Sequence, residues 1–157
     1  MDDTEKVAHH EAGHAVVGYE LGKRFEYINI KKEGERFGTV RWEKRDIGRE
    51  KELMMCVAGY ISEEQFKGND PEYVNPFIIP DKPITMSMEV RTCILESEIE
   101  PKRAKRAWDK TKEILETNYI AVIRLVEKLL KEKEIPGKEA MAFIKKYGAD
   151  GAVAGTF

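Results

Sequence analysis

The sequence predicts an α+β fold that is mostly α-helical, and three observations carry that reading. Apolar residues and histidines recur every three or four positions near the start, one pair of alternating segments flanks a charged, Gly-containing turn, and helical periodicity returns after a Pro-rich stretch. The length of 157 residues suits one compact unit. We read residues 1–147 as a single domain and residues 148–157, small and Gly-rich, as a flexible tail.

Residues 4–21 read as an amphipathic helix with Val7, His10, His14, Val17 and Leu21 on one stripe, ended by Gly22. Residues 25–30 alternate apolar and polar, residues 31–36 form a charged turn around Gly34, and residues 38–44 alternate again, which is a hairpin pattern. A second helix spans residues 48–66, rich in Leu, Met and small side chains, and closes at Gly68 and Asn69. Residues 70–83 hold Pro71, Pro76, Pro80 and Pro83 around the apolar trio Phe77, Ile78 and Ile79, a loop with buried anchors. A third helix begins near Thr85 and ends before Pro101, a fourth runs over residues 101–133, and a fifth covers residues 138–147 after the Pro136-Gly137 turn. The architecture expected is a first helix carrying the histidines, a small hairpin or sheet and a C-terminal helical bundle.

Composition narrows the function classes. Apolar residues make up 41% of the chain and aromatics 9%, an ordinary globular composition that makes disorder unexpected, while charged residues, at 36%, exceed the typical quarter. The net charge of −2 supplies no field for nucleic acid or an acidic membrane. The basic run Lys102, Arg103, Lys105 and Arg106 is interleaved with acidic neighbours and reads as a solvated helix face. The acidic start Asp2-Asp3-Thr4-Glu5 does not resemble a signal peptide, and the longest nearly apolar stretch, residues 53–61, is far below the roughly 20 residues of a membrane span. A cytoplasmic chain is expected. Cys56 and Cys93 lack any Cys-x-x-Cys spacing and read as separate buried thiols rather than a disulfide or a nucleophile.

The chemistry sits in the first helix. His10-Glu11-Ala12-Gly13-His14 is an H-E-x-x-H pattern. Side chains four apart share a helix face, so both imidazoles reach one tetrahedral ion, with zinc the natural candidate. Glu11 lies about 100° around the helix, offset from the ion and placed to take the proton of an activated water. This is the general-base position of a hydrolase that forms no covalent intermediate. The alternative, two histidines partnered as ordinary core or surface residues, is disfavoured by small Ala12 and Gly13, which let another segment approach closely. His9 points away from the His10/His14 stripe, either behind the ligands or toward solvent.

Four segments, in order, resemble the peptidase domain of FtsH, the membrane-bound AAA zinc protease. Residues 7–22 resemble its metal helix, whose core is also His-Glu-Ala-Gly-His. Residues 27–43, with Gly38-Thr39-Val40, are similar to its strand pair, and residues 56–68, Cys-Val-Ala-Gly-Tyr-Ile-Ser-Glu-Glu-Gln-Phe-Lys-Gly, to its "Ala-Gly-Arg-Ala-Ala-Glu-Glu" helix. Residues 112–143 are similar to its helical end. The resemblance implies a zinc endopeptidase acting on peptides or unfolded segments. No Walker A loop and no transmembrane helix occurs in this sequence, so ATP-driven unfolding does not carry over and the expectation is ATP-independent cleavage. The family's hexameric ring leans on its ATPase part, so a monomer or small homo-oligomer is expected here.

The family's third metal ligand is the aspartate of an Asn-Asp-Leu sequence, absent from this chain. Glu89 matches its place best, because Val90, Cys93 and Ser97 then fall where the family's helix has Leu, Ala and Ala. A register shifted by two residues puts Ser87 there instead, and Asp81, Asp70 or no protein ligand stay open. Glu63 and Glu64 read as structural, on a helix face that packs near the site. In zinc peptidases an extended substrate adds to a sheet edge beside the metal, which assigns substrate binding to Gly38, Thr39 and Val40; Trp42 closes that strand. The competing function class is a binding or regulatory module that keeps the fold without activity.

Overall fold

Residues 2–34, 36–76 and 87–149 are described in a computed structural model of the chain. Phe77, Ile78, Ile79, Asp81, Thr85 and residues 150–157, on which parts of the sequence reading rest, lie outside them. The chain is α+β and mostly helical: α1 (Asp3–Glu20), β1 (Phe25–Glu33), β2 (Arg36–Trp42), α2 (Arg49–Phe66), α3 (Met88–Glu96), α4 (Pro101–Thr117), α5 (Tyr119–Glu132), β3 (Glu134–Pro136) and α6 (Gly137–Tyr147).

Helix α1 starts where Asp2 caps it, its carboxylate accepting from the Glu5 amide at 2.8 Å. The one-sided stripe expected of this helix is corrected by the structure. Ala8, His9, Glu11, Ala12, Ala15, Val16 and Val17 are all buried, because α2, α4, α5, α6 and the β1–β2 hairpin surround the helix. A helix apolar on most sides is a core helix. Its small residues permit that position: a Cβ on Gly13 would stand 2.9 Å from the Ala58 carbonyl oxygen, so α1 and α2 approach at backbone distance there. Ser62 on α2 seals the crossing by donating to the His9 carbonyl at 2.9 Å.

The sheet has the order β2–β1–β3, all antiparallel, with Ile28 paired to Val40 on one side and to Ile135 on the other. The third strand is absent from the sequence reading because three residues ending in Pro136 carry a turn pattern. Lys133, at φ 67°, turns the chain out of α5, and its carbonyl accepts from the Ile30 amide at 2.8 Å. Among the described residues β1 is therefore central and β2 lies at an edge.

The single helix expected over residues 101–133 is two helices. Asn118, buried and at φ −103°, ψ 23°, ends α4; its amide nitrogen donates to the Ile114 carbonyl and its side-chain oxygen accepts from the Ala149 amide, both at 2.8 Å. A side chain that bonds nearby backbone competes with helix continuation. The same bond holds Ala149, so the first residues of the expected flexible tail are anchored. Trp108, buried in α4, donates to the Pro71 carbonyl at 2.9 Å and pins the loop after α2.

The cysteine reading is also corrected: Cys56 and Cys93 form a disulfide that joins α2 to α3, with their Cα atoms 6.1 Å apart. The pairing spans 37 residues and depends on helix packing, which cysteine spacing does not encode. Among the described residues no helix is long and apolar enough to cross a membrane.

Candidate active site

The packing of α2 against α1 sets the geometry of the His-Glu-x-x-His turn. The His10 and His14 Nε2 atoms face each other at 3.0 Å. His14 Nδ1 lies 2.7 Å from the Met55 carbonyl oxygen, an obligate acceptor, so Nδ1 carries the hydrogen and the neutral ring presents a bare Nε2 lone pair. His10 Nδ1 lies 2.8 Å from Glu63 Oε1, which fixes its ring in the same sense. Two lone pairs aimed at one another repel unless a cation stands between them. When that cation is a proton it belongs to His10. Burial works to lower the His10 pKa, but the hydrogen bond to Glu63 and the charges of Glu11, Glu63 and Glu89 outweigh it and raise the value. His14 is held down to about 3 by burial and then by the neighbouring His10 charge, against the opposing bond to Met55. His14 is therefore neutral across the physiological range, with a donor lone pair on Nε2.

These atoms fit a divalent metal. Each imidazole is oriented by a hydrogen bond at its far nitrogen, the arrangement that fixes tautomer and raises ligand basicity in histidine metal sites. The opposite wall is Gly59: a Cβ there would lie 2.6 Å from both Nε2 atoms, so the absence of a side chain leaves room for an ion. Glu63, read from sequence as structural, is thus a partner of a candidate ligand. Cys56, Gly59 and Glu63 recur at three and four positions along α2, a helical stripe; the face carrying Glu63 was expected to pack near the site, but the bond from its carboxylate to His10 was not. Replacing Glu63 with Gln is expected to weaken zinc binding by about 10- to 100-fold while the fold persists. A competition titration against a zinc chelator measures it.

Glu11 is 7% exposed and shares a cavity of about 330 Å³ with His10, His14, Glu89 and the β2 residues Gly38, Thr39, Val40 and Trp42. Burial raises its carboxyl to about 7, reinforced by Glu89 and Glu63 and opposed by His10. A cation between the histidines would pull that value down and keep the carboxylate ionised at neutral pH. Gly38, at φ 93°, lets β2 pass directly over Glu11: a Cβ there would stand 3.2 Å from Glu11 Oε1 and 2.6 Å from Val7. A second cavity of about 460 Å³ continues past Phe37 and Lys32 and shares His10, Glu11, Gly38 and Glu89 with the first. One groove therefore runs along β2, with His10, Glu11, Gly38 and Glu89 common to its two parts.

The remaining candidates separate. Glu89 lines both cavities from the first turn of α3, yet it is exposed, and among the described residues no group of three His, Cys, Asp or Glu side chains is close enough to hold a metal. Ser87 caps α3, its hydroxyl accepting from the Val90 amide at 3.3 Å. Asp70 pairs with Lys112. Asp81 lies outside the described residues. His9, left between two readings by the sequence, takes neither. It is buried and stacked on Phe66 at 3.6 Å between ring centroids, and burial lowers its pKa to about 4. In comparisons with known proteins, no family model matches the chain and no curated protein matches it significantly.

Proposed function

We propose that the chain is a zinc-dependent endopeptidase domain that cleaves peptides or unfolded segments without ATP. The observation that carries this reading is the His10–His14 pair, Nε2 to Nε2 at 3.0 Å with both far nitrogens engaged, in one groove with buried Glu11 and an edge strand. The resemblance of residues 7–22 and 56–68 to the FtsH peptidase domain supports the same conclusion. His10 and His14 would hold the zinc, and Glu89, which lines the same cavity, is the carboxylate proposed as the third ligand. Zinc bound there would supply a Lewis acid for the scissile carbonyl and lower the pKa of a water toward about 7.

The chain's own groups supply the rest. An extended segment lying along β2 can bond to the backbone of residues 38–40, because that edge has no strand partner among the described residues. Strand addition would carry the scissile bond past Gly38 and hence past Glu11. Glu11 takes the attacking water's proton and returns it to the leaving amine. A folded domain cannot thread this groove, since only a single extended chain presents its backbone to a sheet edge. The proposed working form is a cytoplasmic monomer or small homo-oligomer.

The test is incubation of the zinc-supplied protein with casein, an unfolded substrate, and with a tightly folded protein of similar size. Fragments from casein alone are expected. The second reading, a peptide-binding module without hydrolysis, is favoured by the exposed position of Glu89 and predicts casein binding with no fragments.

A further inference from the structure

We infer that the Cys56–Cys93 disulfide is a redox-sensitive strut that holds α3, and Glu89 with it, beside the histidine pair. The inference rests on the peptidase reading and adds a means of controlling the site. Helix α3 has nine residues, of which only Val90 and Ile94 are buried, and it packs against α2. So little apolar burial fixes a helix weakly. The covalent link stands on the side of α3 that faces the groove: Glu89 and Cys93 are four apart and share a face, and Cys56 lines the same cavity as His10, Glu11, His14 and Glu89. The bond is within reach of reductants, since Cys56 is exposed and Cys93 half-buried.

Reduction follows thiol–disulfide exchange with a dithiol. A thiolate of the reductant attacks the Cys56 Sγ, the Sγ–Sγ bond breaks, and the Cys93 thiolate leaves and takes a proton. The second reductant thiol then attacks the mixed disulfide, releasing Cys56 as a thiol. Two electrons and two protons pass to the protein, and the dithiol becomes a disulfide. With the link gone, α3 keeps only its two buried side chains, and Glu89 is no longer confined to the groove. In a reducing compartment such a bond is a switch rather than a permanent staple.

The full chain is tested in oxidised form, after reduction with a phosphine that is then removed under anaerobic conditions, and as Cys93→Ser. Amide hydrogen exchange of residues 88–96 is measured without metal, and zinc affinity by competition titration. Reduction and Cys93→Ser are each expected to speed exchange of residues 88–96 about 10-fold or more while α1 is unchanged, and to weaken zinc binding by about 10-fold or more. Glu89→Gln is expected to bind zinc weakly and equally in both redox states. Equal zinc affinity and equal exchange in oxidised and reduced wild type overturn the inference alone. Tighter zinc binding on reduction also overturns it, because the freed thiols would then be ligands. No zinc bound in either state overturns the peptidase reading and the inference together.

Discussion

Glu11→Gln is expected to lower the rate of casein cleavage by about 10²- to 10⁴-fold, the usual contribution of a positioned general base, while zinc binding stays within about threefold of wild type. Glutamine has the shape of glutamate and can fill the space beneath Gly38, but it cannot accept the water's proton. The split between the two readouts matters. Glu11 lies about 100° from the ligand stripe on α1, so its loss is expected to spare zinc binding and remove proton transfer. Stability is not expected to fall, because a 7% exposed carboxylate raised to about 7 gives way to a neutral amide. Rates of fragment formation on a gel and a zinc titration, run on the same preparations, check both halves. A variant that cleaves at the wild-type rate would remove Glu11 from the chemistry.

Gly59→Ala is expected to lower zinc affinity by about 100-fold or more, with a modest fall in thermal stability. The added methyl would lie 2.6 Å from both Nε2 atoms, so it competes for the space that a bound ion needs. The histidines can avoid it only by turning away from each other, which breaks the bonds from His14 to Met55 and from His10 to Glu63. Losing those two bonds costs about 1–3 kcal/mol in all, and the gain of about 1 kcal/mol for Ala over Gly in a helix interior offsets only part of it, so stability falls modestly while the fold is retained. Zinc titration beside a thermal melt measures the effect. Unchanged affinity would show that zinc, if bound, sits elsewhere.

Much of the candidate site was legible in the sequence because it is local. His10, Glu11 and His14 lie within two turns of one helix, where 3.6 residues per turn dictates which side chains converge. The hairpin was legible for the same reason, since alternation and a Gly-containing turn are local signals. What depends on packing between distant segments was not. Glu63 and Gly59 act through the crossing of α1 and α2, 53 residues apart for the His10–Glu63 bond. Cys56 meets Cys93 only because α3 lies on α2, and Asn118 breaks a helix whose periodicity continues through it. The short strand β3 gains its place from Ile28 and Ile30 of the central strand, not from its own three residues. Burial of α1 on most sides was legible only in part: small Ala12 and Gly13 signalled one close approach, while the burial of Ala8, Ala15 and Val16 depends on the other elements packed around the helix.

The most direct measurement is the zinc content of the purified protein, by elemental analysis after zinc is supplied and excess removed, for wild type and for His14→Ala. The account predicts about one zinc per chain in the wild type, lost in the variant while its circular dichroism stays helical. No zinc in the wild type, or the same zinc content in both proteins, would contradict it.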